Sequence, residues 1–258
     1  MSETLGTKLD WQSIEHPSIP DLEADELHLW WLPLSLSTQQ QDEALQLLSD
    51  IQRDRYLRRR AGDAQEAYLA GRYYLLHLLA AYTETTPDAV QLSYSSMNKP
   101  FLSNKEVSHK EHDLQFNFTD TQHQAQRHGL FAFCRQREVG VDIESYARKN
   151  NFTAIAADRF TTAEQEFVAR DGSVDPRRFL AIWTRKEAFG KATGKGINFK
   201  MNEQDLSNGN AQALNFFDPQ NRAWRLQQVA LGDELISAVV HAGHSPLRIR
   251  AFNQINKL

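Results

Sequence analysis

The sequence predicts an α+β protein made of two halves, and three observations carry that prediction. Strand-like and helix-like runs come in blocks, in the order strand, helices, strands, and that order occurs twice. Hydrophobic residues make up 41% of 258, with 14 Phe and 5 Trp, which is enough for a sizeable core. The second block opens near residue 140 with a short apolar-alternating strand, so the expected boundary divides 1–139 from 140–258.

Residues 1–25 carry little periodicity and hold Pro17 and Pro20, which reads as a leader strapped across the surface or a partly ordered tail. LHLWWL at 27–32 is a buried strand, and Ser37 with Gln40 forms a capping box for a helix through Leu48. The basic run DIQRDRYLRRR follows, then a helix over 64–82 with an apolar stripe of Tyr68, Leu69, Leu75, Leu76 and Leu79. A strand is expected at 90–94 and a turn at 95–100, where Asn98 tolerates the left-handed conformation. A polar loop covers 103–113. Strands at 114–119 and 130–134 flank a polar connection, and the strand at 139–144 should pair with the one before it through the turn at 135–138. Helices follow near 152–159 and 162–169, the second capped by Thr161 with Glu164. The next helix has Asp175 as N-cap, Pro176 at its first position and Gly194 just past its end. Strands at 214–217, 224–229, 235–240 and 247–252 complete the chain.

The net charge is −4, which argues against nucleic-acid binding through bulk charge, so any anion site must be local. Cys134 is the one cysteine; an internal disulfide is excluded, and a reducing compartment is expected. No apolar run approaches the roughly 20 residues that cross a bilayer, and the N-terminus does not resemble a secretory signal. The expectation is a cytoplasmic monomer with no membrane or nucleic-acid partner.

Two stretches carry chemistry. In VGVDIE at 139–144, alternation puts Val139, Val141 and Ile143 on one face and Asp142 with Glu144 on the other, their α-carbons roughly 6.5–7 Å apart. Gly140 on the second face leaves room for a ligand. In WTRKEAFGKATGKGI at 183–197, Trp183, Glu187 and Lys191 share one helical stripe. Phe179, Ile182, Phe189 and Ala192 can face a core. Each has a plainer reading: a wet edge strand, and a surface Glu187–Lys191 pair. The arginine run is likewise either a solvated face or the local anion site. Taken together, three carboxylates without histidine or thiolate suit Mg²⁺, and Lys186, Lys191 and Lys99 could hold phosphate charge. That set points to attack on a phosphorus centre, with Glu187 as general base. Histidines 109, 112, 123 and 128 lie in polar stretches without cysteine partners and do not read as a zinc site. GKG at 194–196 closes a helix instead of opening one, unlike a Walker loop.

GVDIE at 140–144 followed by WTRKEAFGKATGKGI resembles the 4′-phosphopantetheinyl transferases of the long, surfactin-synthetase-activating type. FNFTDT at 116–121 and NKP at 98–100 extend the resemblance, which covers roughly 50–200. It implies a pseudo-dimer of two similar α+β lobes with the active site in the cleft between them. It also implies transfer of the phosphopantetheine arm of coenzyme A to a serine of an apo carrier protein, releasing 3′,5′-ADP. Asp142, Glu144 and Glu187 would hold Mg²⁺, with Asp142, Glu187 and Lys191 serving catalysis. Lys99, Thr119, Asp120, Lys186 and Lys191 would contact coenzyme A, and members of the 53–60 cluster, Arg53 and Arg58 among them, its 3′-phosphate. Asp120 stands where the family has His. A carboxylate there would repel a diphosphate, so it is expected to turn away or bond locally, with His123, Arg127 or His128 supplying the contact. Fatty-acid, polyketide and non-ribosomal peptide carriers are all open as acceptors. Two other readings stay open: a non-catalytic protein that binds coenzyme A or a carrier, and a Mg²⁺ enzyme that hydrolyses nucleotides.

Overall fold

The computed structural model describes residues 5–14, 19–103, 113–196, 200–207 and 212–255. The strands are β1 (Thr7–Lys8), β2 (Trp11–Ile14), β3 (Glu26–Pro33), β4 (Leu92–Tyr94), β5 (Pro100–Leu102), β6 (Leu114–His123), β7 (Gln126–Arg135) and β8 (Val139–Ser145). They continue as β9 (Ala169–Arg170), β10 (Ser173–Val174), β11 (Ala213–Phe217), β12 (Ala223–Leu231), β13 (Leu235–Ala242) and β14 (Arg248–Ile255). The helices are α1 (Thr38–Leu47), α2 (Asp50–Leu57), α3 (Asp63–Tyr82), α4 (Phe152–Arg159), α5 (Thr162–Val168) and α6 (Pro176–Thr193). The α+β class read from the sequence is the class observed.

Two five-stranded sheets form the centre. One runs β2–β14–β3–β7–β6, and the other β1–β12–β13–β8 with β11 also on β12. Alternation along the strands makes four layers. Leu27, Leu29, Leu130, Ala132 and Cys134 of the first sheet meet Val139, Val141, Ile143 and Val239 of the second in one core. Trp30, Phe116, Phe131 and Phe133 point the other way, against Leu75, Leu76 and Leu79 of α3. Ala238 and Val240 likewise turn outward to Ala188, Phe189 and Ala192 of α6.

Local signals account for most of these elements. The expected capping boxes of α1 and α5 form, and Ser49 with Gln52 adds one at α2. Asp175 caps α6 by accepting from the Arg177 and Arg178 amides, and Gly194 ends it at φ 68°. Asn98 takes φ 64° in its turn. The polar connection expected after residue 119 is instead strand: β6 runs to His123 and β7 starts at Gln126, with Gln124 at φ 53° in the turn.

Three placements differ from expectation. β8 does not pair with β7; it pairs antiparallel with β13, and the 135–138 turn passes from one sheet to the other. Both hydrogen-bonding edges of β7 are already taken, by β3 and β6, so no edge is left for β8. The chain's ends cross the boundary at 139/140: β1 joins β12, while β14 lies between β2 and β3 in the first sheet. Gly140 does not admit a ligand. A Cβ there would lie 2.1 Å from the Ala188 carbonyl and 2.3 Å from the Ala192 nitrogen, so the missing side chain lets α6 lie directly on β8. Histidines 109 and 112 and most of the 103–113 loop lie outside the described residues.

Candidate active site

The free edges of the two sheets, β6 and β8, meet along a seam. Asn117 on β6 accepts from the Val141 amide at 3.0 Å, fixing the edges in register. One step along, Thr119 Oγ1 donates to Asp142 Oδ1 at 3.2 Å. Lys191 reaches down from α6 and donates to both, at 2.9 Å to Thr119 and 2.7 Å to Asp142. Asp142 is buried, and its second oxygen, Oδ2, has no hydrogen-bond partner among the described residues. Glu187 sits one helical turn before Lys191. Burial raises its pKa above the usual carboxylate range and Asp142 pushes it further, against the pull of Lys191, Arg148 and Arg159. Asp142, Thr119, Glu187 and Lys191 therefore do come together.

Cavities lie at both ends of the seam. One of about 590 Å³ is lined by Met97, Lys99, Phe101, Gln115, Glu138 and Gly194. The other, of about 710 Å³, is lined by Thr121, Gln124, Glu144, Tyr146, Arg148 and Arg177. β6 contributes to both linings, and β8 runs from just after Glu138 of the first to Glu144 and Ser145 of the second, so the Asp142 cluster stands between the two.

The remaining expected residues are placed differently. Glu144 leaves β8 on the same face as Asp142 but is paired with Arg148. Among the described residues no three His, Cys, Asp or Glu side chains converge to hold a metal ion, so the expected three-carboxylate cage is not formed. The donor chemistry still fits a hard divalent cation. All the donors are oxygens, Asp142 Oδ2 is a buried acceptor without a donor, and the Asp142–Glu187 repulsion is one that a cation would relieve.

Lys186 is not at the seam at all. It is fully buried on another side of α6, bonded to Glu164. Lys99 spends its ammonium on backbone, donating to the Val139 and Ala192 carbonyls at 3.2 and 2.7 Å, and burial holds its pKa down at about 8. Asp120 points away from its neighbour Thr119, as alternation requires, and takes both Nε and Nη2 of Arg127 at 2.9 and 2.5 Å. The local bonding expected of it is what occurs.

The arginine run is the helix α2 and its end, and only part of it faces inward. Arg53 bonds the Leu45 carbonyl and Arg58 pairs with Asp54 at the surface, so neither looks toward the seam. Arg55 lies 4.0 Å over the Tyr94 ring and donates to Asn98; Arg59 lies 4.6 Å over Tyr68. Arg72 of α3 approaches the same Tyr68 ring at 5.1 Å, and its Nε and Nη1 are buried with no hydrogen-bond partner among the described residues. Three guanidiniums thus gather around two tyrosine rings. Arg55 and Arg59 belong to the basic run read as a candidate anion site, while Arg72 was missed. The signal for Arg72 was spacing: it follows Tyr68 by four residues on one face of α3.

The α+β fold thus carries an arginine–tyrosine cluster beside α2 and an acidic, lysine-bridged seam between its sheets. A family model described as the 4′-phosphopantetheinyl transferase superfamily matches residues 138–240. The chain is 30% identical over 234 residues to the 4′-phosphopantetheinyl transferase HetI of Nostoc sp., covering 88% of this chain and 93% of that one. It is also 28% identical over 147 residues to a phosphopantetheinyl transferase of Thraustochytrium sp., covering 51% and 47%. The chain belongs to the 4′-phosphopantetheinyl transferase superfamily.

Proposed function

We propose that this protein is a transferase of the long type. It moves the 4′-phosphopantetheine arm of coenzyme A onto a serine of an apo carrier protein and releases 3′,5′-ADP. The observation that carries the reading is the Asp142–Thr119–Lys191 cluster with Glu187 beside it, at the seam of the two sheets and between two cavities. In this reading the two sheet-and-helix halves act as lobes, and the donor lies across the seam. The cluster of Arg55, Arg59 and Arg72 takes the phosphate at the nucleotide end, because it has donors beside two tyrosine rings and Arg72 has no carboxylate partner among the described residues.

Mg²⁺ held by Asp142 and Glu187, with Glu144 released from Arg148, would neutralise the charge of the diphosphate. Lys191 holds Asp142 in place and presents its ammonium to the phosphate that is transferred. Glu187, beside Asp142 and Lys191 at the seam, accepts the proton of the carrier serine. The serine oxygen bonds to phosphorus as the bond from phosphorus to the departing 3′,5′-ADP oxygen breaks. The Lys99 ammonium, bonded to the Val139 and Ala192 carbonyls, ties β8 to the end of α6 and leaves the phosphates to other cations.

The test is carrier-dependent release of 3′,5′-ADP from coenzyme A. The reading expects release only when an apo carrier is present. Release without a carrier would make the protein a hydrolase, and tight coenzyme A binding without product on a panel of carriers would make it a binding protein.

A further inference from the structure

The lysine beside the catalytic glutamate sits in a buried network with no opening to the seam. At about 100° per residue, Lys186 lies about 100° around α6 from Glu187 and about 140° from Lys191, so it cannot share their side. Its ammonium bonds Glu164 at 2.7 Å, the Gln204 carbonyl at 2.7 Å and the Met201 carbonyl. Glu164 is also fully buried, and accepts the Leu206 amide at 2.8 Å and the Thr161 amide at 2.8 Å. Neighbouring Arg185 does the same work one step around the helix, donating to Gln228 at 2.5 Å, to Leu206 at 2.8 Å and to Ser207 at 2.6 Å. Gln228 then bonds Thr184 of α6 at 3.1 Å and links the helix to β12.

We infer that Lys186 and Glu164 are a positioning pair that locks α6 to the 200–207 segment and to α5, and thereby aims Glu187 and Lys191 at Asp142. The inference rests on the proposed reaction for what is being aimed. Three acceptors surround the ammonium, so its hydrogen-bonding capacity is filled within the protein. None is left for a donor phosphate. The pair also fixes rotation about the helix axis, because its bonds leave α6 on a different side from those of Lys191. Rotation of α6 that carried Glu187 away from Asp142 would have to break them.

The test compares Lys186→Met, Glu164→Gln and the double variant in the intact protein. It reads the thermal midpoint, coenzyme A affinity by calorimetry, and kcat and KM on an apo carrier. Lys186→Met strands a buried carboxylate, so its midpoint should fall by about 10 °C. Its kcat should fall at least about tenfold while coenzyme A affinity stays within about twofold of wild type. Adding Glu164→Gln should restore most of the midpoint and of kcat, since no buried charge is then unpaired. A Lys186→Met protein with an unchanged midpoint and about tenfold weaker coenzyme A binding overturns the inference. If the single variant does not fold, the double variant decides: wild-type affinity supports the pair, and weakened affinity sinks it. Failure of wild type to modify any carrier would remove only the transfer reading, because the coupling between the two substitutions in thermal midpoint is read without substrate.

Discussion

Asp142 Oδ2 and the Nε and Nη1 atoms of Arg72 are buried polar atoms with no hydrogen-bond partner among the described residues, one anionic and the other cationic. Leaving such groups unpaired costs free energy unless a ligand completes them, which is why both are assigned to substrate or cation binding. Arg72→Ala should raise KM for coenzyme A about tenfold or more, the size expected when a charged hydrogen bond is lost, with kcat little changed. An unchanged KM would remove Arg72 from the donor site. The sequence made Asp142, Glu187 and Lys191 legible because strand and helix periods place them. It misled on Lys186, Arg53 and Arg58, where residue type outweighed the face on which each residue falls. A separate network sets acid stability. Trp30 donates to the Tyr82 hydroxyl at 2.8 Å, so that hydroxyl donates to His28 Nδ1 at 2.7 Å, leaving Nε2–H to donate to Glu26 at 3.2 Å. Burial lowers the pKa of His28, and likewise of buried His241, to about 4 from 6.5. The unfolded chain therefore binds more protons than the folded one across that window, and stability should fall as pH drops from 6.5 to about 4. Denaturant titrations at a series of pH values check this; a His28→Gln variant should show a shallower decline.

At the scale of elements, α6 and β8 form one unit, and Gly140 is what allows it. Gly140→Ala would place a methyl 2.1 Å from the Ala188 carbonyl, against backbone that has no rotamer to change. It should cost about 1–3 kcal/mol or more, read as a lowered denaturant midpoint, and reduce activity with it, since Lys191 must still reach Asp142. A neutral result would mean that α6 shifts without loss. The limits of α6 were legible because Asp175, Pro176 and Gly194 each have a local physical role. The partner of β8 was not, because an apolar-alternating strand does not state which edge it will pair with. That choice followed from sheets packed face to face, a tertiary matter.

In the whole molecule the two sheets are stitched together by the chain's ends. Residues 5–14 run from the second sheet to the first: Leu5 packs with Phe179 and Ile236, Thr7–Lys8 lies on β12, and Trp11–Ile14 on β14. β14 crosses the same way, and Arg248 pairs with Glu26 at 2.9 Å. The doubled element order conveyed the α+β class, but these crossings join residues more than two hundred apart and leave no local trace. Removing residues 1–14 should uncover the edge of β12 and one side of β14, lower the thermal midpoint by several degrees and weaken coenzyme A binding, because the seam depends on how the sheets meet. Unchanged binding and midpoint would show that the strap is dispensable.

The central claim is that the seam of β6, β8 and α6 transfers phosphopantetheine to a carrier serine. Intact-mass analysis of an apo carrier incubated with coenzyme A, Mg²⁺ and the protein tests it most directly. The account predicts a gain of one phosphopantetheine with wild type and none with Glu187→Ala or Asp142→Ala variants that keep the wild-type fold. Full modification of the carrier by either variant would contradict it.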